Sequence, residues 1–411
     1  MDAFLKSAKQ SSSILGTLSG AVKNDILNQM ADALENNIEE IISKNTLDIE
    51  AGVTNNLSSA LMDRLLLNEN RIKGMADAIR QISALKDPVG RIHEGWTTDT
   101  NLNIQKVSVP IGVIGIIYES RPNVTSDTAA LCFKSGNVCI LKGGKEALNS
   151  NQIIAKTIQE VLVKNNLPKE MISLLPDSSR EGVTNLIKQD KYVDLIIPRG
   201  GEALIKYVTS NASVPVVKHD KGLCHTYIHS DADFTKAIEV SINAKCRRAG
   251  ICGAMETLLV DEMVAEQILP LLNNEFKIHK TELRGCAKTQ SIITCEKASQ
   301  EDWETEYLDN ILSIKVVNGV TEAIEHIKQY GSGHSDAIIT ENYSDAEVFL
   351  NSVDSACVYL NASTQFTDGG EFGFGAEVGI STNKLHARGP MGLNELTTYK
   401  FKILGNGQGR A

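Results

Sequence analysis

The sequence predicts an α/β fold with two lobes, each built on a parallel sheet, and three observations support this prediction. A chain of 411 residues is longer than a single hydrophobic core usually serves, so two large lobes are expected. From Lys106 onward, short β-branched runs alternate with amphipathic segments of helical length, as in parallel α/β proteins. Hydrophobic residues make up 42% of the chain and charged residues 22%, which is ordinary for a folded globular protein.

Helices are predicted over about the first hundred residues. Apolar side chains recur there at every third or fourth position, which is the pattern of an amphipathic helix. The apolar stripe runs through Val22, Ile26, Met30, Leu34, Ile38 and Ile41. We therefore expect this part of the chain to bury one helical face.

Strands are predicted in two series along the rest of the chain. The first series comprises VSVPIGVIGIIYES, NVCILKGG, VDLIIPRGG, VPVVKHD and CHTYIHSDAD, and the second METLLVDE, ILSIKVVN, SDAIIT and ACVYLN. The segments between them, such as residues 150–165, have the length and apolar periodicity of crossover helices. The result is two parallel α/β lobes that join near residues 222–232.

The last apolar run, TTYKFKIL at residues 397–404, stands outside both series. It has no obvious sheet to complete within its own lobe. Because the edge of an unpaired strand is a template for another chain, we expect this run to pair across a subunit interface.

Charge and composition limit the kinds of partner. The net charge is -10 and acidic and basic residues are interspersed, which argues against a nucleic acid or an anionic membrane and favours a small molecule. The amino terminus has neither a secretory nor an Arg-rich targeting pattern, and no apolar run is long enough to cross a membrane. The sequence therefore predicts a cytoplasmic protein without a membrane partner.

No metal site is predicted. The eight cysteines are scattered and form no CxxC pair suited to zinc, so reduced thiols are expected. His326 and His334 are separated by a Gly-rich turn, and His225 and His229 share a strand face without a third ligand nearby. We interpret these histidines as structural.

Two segments at predicted strand ends have features of a nucleotide site. IIPRGGEALIKYV places Arg199, Gly200 and Gly201 between a strand and a helix, where backbone N–H groups can approach a phosphate. A plain strand-to-helix turn explains the same pattern slightly better. In ILKGGKEA, Lys142 is either a ligand of a ribose or phosphate or a solvated lysine at a strand end. GNGQGR at residues 405–410 is a weak dinucleotide signal, because no helix follows it.

Two further side chains are suited to acyl chemistry. Asn123 follows a predicted strand, and it is either an amide donor to an oxyanion or the N-cap of a helix that begins near Val124. Cys252 lies between Gly250 and Gly253, so a substrate carbonyl and a cofactor ring can both approach its sulfur. Cys252 is the best candidate nucleophile among the cysteines, although a buried structural thiol is the more frequent case for such a pattern.

Several long segments resemble one known family. They are VNGVTEAIEHIKQYGSGHSDAI, YESRPNVTSD, ILKGGKE, DGGEFGFGAEVGISTNKLHARGPMGL and the terminal LTTYK. Over essentially its full length the chain resembles the γ-glutamyl phosphate reductases, which are members of the aldehyde dehydrogenase superfamily. The resemblance implies an aldehyde dehydrogenase-like fold in three parts. These are a Rossmann-like cofactor domain at residues 1–224 with a strand arm near 97–108, a catalytic domain at 225–390, and a C-terminal oligomerisation segment at 391–411.

The same resemblance implies an activity. The family reduces L-glutamyl 5-phosphate with NADPH to L-glutamate 5-semialdehyde and phosphate through a cysteine thioacyl intermediate, the second step of proline biosynthesis from glutamate. It also implies a homo-oligomer, dimer or tetramer, and functional coupling to glutamate 5-kinase. Two alternatives are a hydrolytic aldehyde dehydrogenase and a non-catalytic protein that retains the fold.

The resemblance assigns roles to particular residues. Cys252 matches the catalytic cysteine, and Asn123 matches the asparagine whose amide holds the oxyanion together with the Cys252 N–H. Glu306 matches the glutamate that holds the nicotinamide ribose, whereas Lys142 and Arg199 to Gly201 match the stretches that cradle the cofactor. The chain departs from the family at two positions, because the family more often has Arg in place of Lys142 and Asn in place of Gly253.

The sequence lacks the catalytic base of hydrolytic aldehyde dehydrogenases, and it contains two arginines that are candidates for binding the substrate. Hydrolytic aldehyde dehydrogenases have a glutamate base in an ELGG motif, where this chain has His219 in VVKHDKGLC. A hydrolytic enzyme needs such a base to activate water, whereas an acyl group exchanged with phosphate does not. Because the implied substrate is anionic, Arg121 and Arg388 are our candidates for binding its carboxylate and phosphate.

Overall fold

The computed structural model describes residues 1–217 and 221–410, so the position of His219 lies outside the described residues. The α-helices are α1 Asp2–Leu15, α2 Gly20–Asn36, α3 Ile38–Thr54, α4 Ser59–Leu65, α5 Glu69–Ala84, α6 Pro122–Lys134, α7 Leu148–Lys164, α8 Arg180–Leu186, α9 Glu202–Asn211, α10 Phe234–Cys246, α11 Glu262–Ile278, α12 Ala287–Ile292, α13 Gly319–Tyr330 and α14 Tyr343–Ser352. No helix in these ranges combines the length and apolar character needed to span a membrane.

The β-strands are β1 Ile92–Thr97, β2 Asn103–Pro110, β3 Val113–Tyr118, β4 Val138–Lys142, β5 Ile172–Leu174, β6 Leu195–Arg199, β7 Cys224–Ile228, β8 Met255–Asp261, β9 Glu282–Gly285, β10 Glu296–Lys297, β11 Ile311–Val317, β12 Ser335–Ile339, β13 Cys357–Leu360, β14 Ile380–Ser381, β15 Gly389–Pro390 and β16 Thr397–Leu404. Short 3₁₀ helices occupy Lys145–Ala147, Lys169–Met171, Glu301–Glu304, Thr364–Phe366 and Asn394–Leu396.

The described chain divides into two compact units. The first contains residues 1–217, 374–379 and 391–410, and the second contains residues 221–373 and 380–390. The first unit is therefore discontinuous, because its last strand comes from the carboxyl end of the chain. The functional roles that we assigned to the domains from the sequence stay predictions.

The first unit contains a parallel sheet with the strand order β5-β4-β3-β6. The central strand β3, VIGIIY, is buried along its whole length, so it forms a continuous apolar run rather than an alternating one. It pairs in parallel with β4 from Val113 opposite Val138, and with β6 from Ile114 opposite Leu195. The predicted α/β class is thereby confirmed for this unit.

The helical region at the amino terminus is shorter than we predicted. The apolar stripe is shared by α2 and α3, which meet at Asn37, and it is buried at Ile26 and Ile41. The last of these helices ends at Ala84, and the exposed strand β1 begins at Ile92. The prediction of helices over about the first hundred residues is therefore wrong beyond Ala84. The exposed strand IHEGWT lacks the alternation of apolar and polar residues from which a strand can be predicted.

The carboxyl-terminal strand has a partner within its own chain. β16 pairs antiparallel with β2 from Thr397 opposite Pro110 to Leu404 opposite Asn103, and the sheet has the order β1-β2-β16. Our expectation that residues 397–404 have no sheet to complete within their own lobe is therefore wrong. The partner strand lies almost 300 residues earlier in the sequence, so no local pattern could reveal the pairing.

The second unit contains a seven-stranded sheet with the order β10-β9-β11-β8-β7-β12-β13. Its neighbouring strands pair in parallel, for example β11 with β8 and β12 with β7. The strand METLLVD of β8 is fully buried, and Leu272 and Phe276 of α11 belong to the same hydrophobic core as Leu258. The predicted second parallel lobe is confirmed. However, the run CHTYIHSDAD, which we assigned to the first series of strands, forms β7 of this second sheet, so its assignment is wrong.

Candidate active site

Predicted site residues of the first unit meet at one edge of its parallel sheet. Lys142 and Arg199 are the last residues of β4 and β6, and Arg121 and Asn123 follow the end of β3. Because the carboxyl ends of parallel strands lie at the same edge, the fold brings these residues together with Gly200 and Gly201. This is the edge at which open α/β sheets bind their ligands.

The start of α9 is suited to binding an anion. Gly201 is the N-cap of this helix, and its N–H donates to a carboxylate oxygen of Glu119 at 2.9 Å. A β-carbon on Gly200 would lie 2.7 Å from the same carboxylate, so the Glu119 side chain packs closely against Gly200. The helix dipole favours negative charge here, and in this structure Glu119 provides it. Sequence reasoning missed Glu119, although an acidic residue at a strand end was visible.

Lys142 lies among carboxylates at the same edge. Burial lowers the pKa of its ammonium, whereas Glu146, Asp177 and Glu119 act in the opposite direction. Burial acts to raise the pKa of Glu146, but hydrogen bonds from Ser120 and the charge of Lys142 lower it overall. The N–H and hydroxyl of Ser120 donate to Glu146 at 2.7 and 2.6 Å, so the turn after β3 is tied to the turn after β4.

Asn123 is not the N-cap of the helix that follows β3. The helix α6 begins at Pro122, its N-cap is Arg121, and Asn123 is already within the first turn. The N-cap interpretation of Asn123 is therefore wrong. Its exposed amide donates to a carboxylate oxygen of Asp127, one turn along the helix, at 2.9 Å. Burial raises the pKa of Asp127 to about 6, although hydrogen bonds from Asn123 and Ser126 and the charge of Arg199 act to lower it.

In the second unit the candidate nucleophile lies at the amino edge of the seven-stranded sheet. Cys252 is half-buried in the loop between α10 and β8. A β-carbon on Gly222 would overlap the Cys252 carbonyl oxygen and lie 2.6 Å from its α-carbon. The thiol of Cys224, the first residue of β7, donates to the same carbonyl oxygen at 3.2 Å. The main chain of Cys252 is therefore held from the side of β7.

Glu306 is part of this arrangement, because one of its carboxylate oxygens accepts the Gly222 N–H at 2.8 Å. Glu306 precedes β11, Cys252 precedes β8 and Gly222 precedes β7. Since the amino ends of these parallel strands lie at one edge, the three residues come together. Sequence reasoning did not single out Gly222 or Cys224.

The departure from the family at Gly253 does not leave the Cys252 loop loose. The hydroxyl of Thr364 donates to the Gly253 carbonyl oxygen at 2.7 Å. A β-carbon on Gly253 would lie 3.1 Å from the Thr364 carbonyl oxygen, which is a tight contact. Gly253 therefore fits closely against Thr364, whose hydroxyl group holds the Gly253 main chain in place.

Arg388 is held by an acidic residue of its own unit. Its guanidinium donates to the Asp354 carboxylate at 2.8 Å and to the Asp354 carbonyl oxygen at 2.6 Å. Lys384 also pairs with this carboxylate. Hydrogen bonds from Lys384 and Arg388 lower the pKa of Asp354.

The four histidines considered from the sequence are buried and take part in local contacts. His225 contacts Asp336 at 2.9 Å, and His334 contacts Ser335 at 2.8 Å. The ligand atoms of His229, Asp231 and Asp345 lie within 4.8 Å of one another, a grouping that the sequence did not suggest. The Asp231 N–H donates to Nδ1 of His229, so the ring proton belongs on Nε2, which faces Asp345 at 3.3 Å. We interpret this group as a hydrogen-bond network around a buried structural histidine.

Comparison with known proteins defines the class first. The model of the aldehyde dehydrogenase family matches residues 1–290, which is more than half of the chain. The two parallel α/β units agree with this class. The chain is thus an oxidoreductase of the aldehyde dehydrogenase family.

Relatives that match over the full length identify the particular family within this class. The chain is 66% identical over 409 residues to the gamma-glutamyl phosphate reductase of a Nitratiruptor species, covering 99% of each chain. It is 66% identical over 410 residues to that of Sulfurimonas denitrificans, covering 100% of each. The crystal structure of the gamma-glutamyl phosphate reductase from Thermotoga maritima matches with a TM-score of 0.98 and 46% identity, covering 100% of this chain and 99% of that one. The chain belongs to the gamma-glutamyl phosphate reductase family.

The contact between Gly222 and Cys252 gives a stability prediction. We expect Gly222→Ala to lower the free energy of unfolding by about 1–3 kcal/mol, because its β-carbon meets main-chain atoms that must shift. Gly250→Ala is the matched control, since its nearest neighbour would be the Leu308 carbonyl oxygen at an ordinary 3.5 Å. Thermal and urea unfolding of both variants measure the difference. Equal stability of the two variants would contradict the close contact.

Asp127 gives a pH prediction. Its pKa is about 6 in the folded chain against 3.8 for the unperturbed group, so the folded state binds more protons between these values. This carboxyl therefore makes the chain less stable as pH rises from about 4 to about 6. Asp127→Asn removes the titration, so its stability relative to wild type should increase across that interval and stay level above about pH 7. Thermal unfolding at a series of pH values tests this, with the exposed Asp99→Asn as control; a flat difference for Asp127→Asn would refute it.

Proposed function

We propose that the chain reduces L-glutamyl 5-phosphate to L-glutamate 5-semialdehyde and phosphate with NADPH, and that Cys252 is the nucleophile. The observation that carries this proposal is the full-length 66% identity to proteins named gamma-glutamyl phosphate reductase, with Cys252 and Asn123 both present. In relatives of this kind the reaction is the second step of proline biosynthesis. The half-buried, main-chain-anchored loop around Cys252 supports the role of the sulfur.

In the proposed reaction the Cys252 thiolate attacks the γ-carbonyl carbon of the substrate. The carbonyl oxygen becomes an oxyanion, which the amide of Asn123 and the N–H of Cys252 stabilise as hydrogen-bond donors. The C–O bond to phosphate then breaks, phosphate leaves, and a thioester forms on Cys252. An asparagine amide has two N–H donors, so Asn123 can keep its bond to Asp127 and still donate to the oxyanion.

The residues at the carboxyl edge of the first unit fit a dinucleotide. A β-carbon on Gly201 would meet nothing within 4 Å, so a ligand can approach the start of α9 closely. Arg199, Gly200 and Gly201 would hold the phosphates there in place of Glu119, Lys142 would hydrogen-bond a ribose or phosphate, and Glu306 would hold the nicotinamide ribose. When bound, NADPH supplies the hydride that reduces the thioester carbon. The Cys252 sulfur then leaves as a thiolate and the aldehyde is released.

Two cationic side chains are our candidates for binding the substrate. Arg121 immediately precedes the helix that contains Asn123, and Arg388 is oriented by Asp354. A guanidinium held in one orientation is suited to a carboxylate or phosphate, because its planar donors match their oxygens.

We also propose that the chain is a cytoplasmic homo-oligomer. Trp96, Tyr399, Phe401 and Ile403 are each about half exposed on the sheet formed by β1, β2 and β16. Among the described residues β16 is an edge strand, so a second copy of this chain can cover the apolar side chains or extend the sheet. Because an acyl phosphate is reactive in water, functional coupling to glutamate 5-kinase, which forms it, fits the same chemistry.

The test is the reverse reaction, in which semialdehyde reduces NADP⁺ in the presence of phosphate. We expect Cys252→Ser to lower kcat by roughly 10⁴-fold or more while binding of NADP⁺ is retained, because only the nucleophile is lost. Cys295→Ser is the matched control, since Cys295 is also half-buried in the second unit. Full activity of Cys252→Ser would overturn the proposal. Turnover without phosphate would favour a hydrolytic aldehyde dehydrogenase.

The oligomer is tested separately. We expect the double variant Phe401→Lys/Ile403→Lys to lower the mass in solution, measured by light scattering, because two charges would be buried unpaired in the contact. Lys402→Ala, on the opposite face of β16, is the control and should leave the mass unchanged. The same mass for all three proteins would exclude this sheet as the interface.

A further inference from the structure

A fully buried ion pair flanks the Cys252 loop, and the proposed reaction does not use it. Lys245 lies near the end of α10 and Glu256 near the start of β8, so Cys252 lies between them in the sequence. Their side chains are 0% and 1% exposed, and the ammonium lies 2.6 Å from a carboxylate oxygen. Removing two charges from water costs several kcal/mol, and apolar side chains of similar size often serve stability as well. The pair therefore calls for a reason other than stability.

The second carboxylate oxygen of Glu256 contacts another loop. It accepts the N–H of Leu308 at 3.3 Å. Leu308 has a φ of 53°, in the left-handed region that a leucine rarely adopts, and its side chain is 50% exposed. Packing of that side chain therefore does not explain the backbone conformation. The Lys245 ammonium also lies 5.9 Å from the centre of the Tyr307 ring, so the pair contacts two successive residues of this loop.

The same loop contains Glu306, which connects it to the nucleophile. Glu306 accepts the Gly222 N–H, and Gly222 packs against the α-carbon and carbonyl group of Cys252. The Leu308 carbonyl oxygen lies 3.5 Å from where a β-carbon of Gly250 would be, two residues before the nucleophile. A continuous series of contacts thus leads from the buried pair to the main chain of Cys252.

We infer that Lys245 and Glu256 are positioning residues for Cys252, acting through the left-handed turn at Leu308 and the carboxylate of Glu306. The inference rests on the proposed role of Cys252 as the nucleophile. In that role its N–H must point at the developing oxyanion, and a displacement of about 1 Å can cost roughly 100-fold in rate. The ion pair holds the Glu256 carboxylate in one orientation, in which its second oxygen accepts the N–H of Leu308.

The essential feature is the acceptor of the Leu308 N–H rather than the charge. Burial raises the pKa of Glu256 to about 7, while Lys245 beside it acts in the opposite direction. Glu256→Ala removes the acceptor and leaves Lys245 buried without its partner. The double variant Lys245→Met/Glu256→Gln keeps an acceptor oxygen and removes both charges. A positioning role therefore predicts different outcomes for these two variants.

The experiment measures kcat and KM in the phosphate-dependent oxidation of semialdehyde. It also measures the rate at which iodoacetamide labels Cys252 without cofactor, localised by peptide mass spectrometry. We expect Glu256→Ala to lower kcat roughly 10- to 100-fold and to alter the labelling rate. The KM values for semialdehyde and phosphate should change less than about threefold, whereas the KM for NADP⁺ should rise, because Glu306 belongs to the same loop. Lys245→Met/Glu256→Gln should stay within about threefold of wild type in kcat. Glu341→Gln, which breaks the exposed pair with Lys236, is the matched control and should have no effect.

A second pair of variants decides the question if Glu256→Ala does not fold. Leu308 is half exposed, so replacing its side chain removes little buried apolar surface. Leu308→Asn tolerates the left-handed conformation and keeps the N–H, whereas Leu308→Pro removes the N–H and fixes φ near −65°. We expect only the proline variant to lose kcat. Wild-type kcat and labelling in folded Leu308→Pro, or an equal loss in Glu341→Gln, would overturn the inference. If Cys252→Ser is inactive in that case, the proposed function stands and only this inference fails.

Discussion

The packing of Gly222 against the main chain of Cys252 is the constraint on which the rest of the second unit depends. No side chain larger than hydrogen fits at residue 222, so Gly222 and the loop before β8 pack in one mutual arrangement. Glu306 then fixes the N–H of Gly222, and Cys224 fixes the carbonyl oxygen of Cys252. The main chain of Cys252, which carries the sulfur, is thus held by Gly222 and by the thiol of Cys224.

The two units use opposite edges of their sheets. In the first unit, Asn123, Lys142 and Gly201 lie at or just beyond the carboxyl ends of parallel strands, where helix N-termini and their dipoles favour anions. In the second unit, Cys252 and Glu306 precede the amino ends of theirs. The difference suits the division of tasks that we propose. Phosphate groups of a cofactor need backbone N–H donors at helix starts, whereas a nucleophile needs a rigid loop.

Strands that are buried along their length could be predicted from the sequence, whereas contacts between residues far apart in the chain could not. The buried strand β3 is a continuous apolar run and β8 contains the apolar run LLV, so the parallel sheets could be predicted. The exposed strand β1 and the pairing of β16 with β2 could not, because neither leaves a local pattern. Cys252 and Asn123 could be singled out by chemistry and resemblance. The bond from Asn123 to Asp127 and the contact of Gly222 with Cys252 depend on side-chain direction and on loop geometry, which periodicity does not encode.

Because the first unit is discontinuous in sequence, it cannot complete its folding early in synthesis. Residues 391–410 complete a unit that begins near residue 1, and β2 lacks its partner β16 until residues 397–404 have been synthesised. The second unit is nearly contiguous in sequence, so its own strands are all available earlier. On the ribosome, the part of the protein synthesised first is therefore the part that finishes folding last. A nascent or prematurely terminated chain exposes the β2 edge, which is then open to pairing with other chains and to recognition by chaperones.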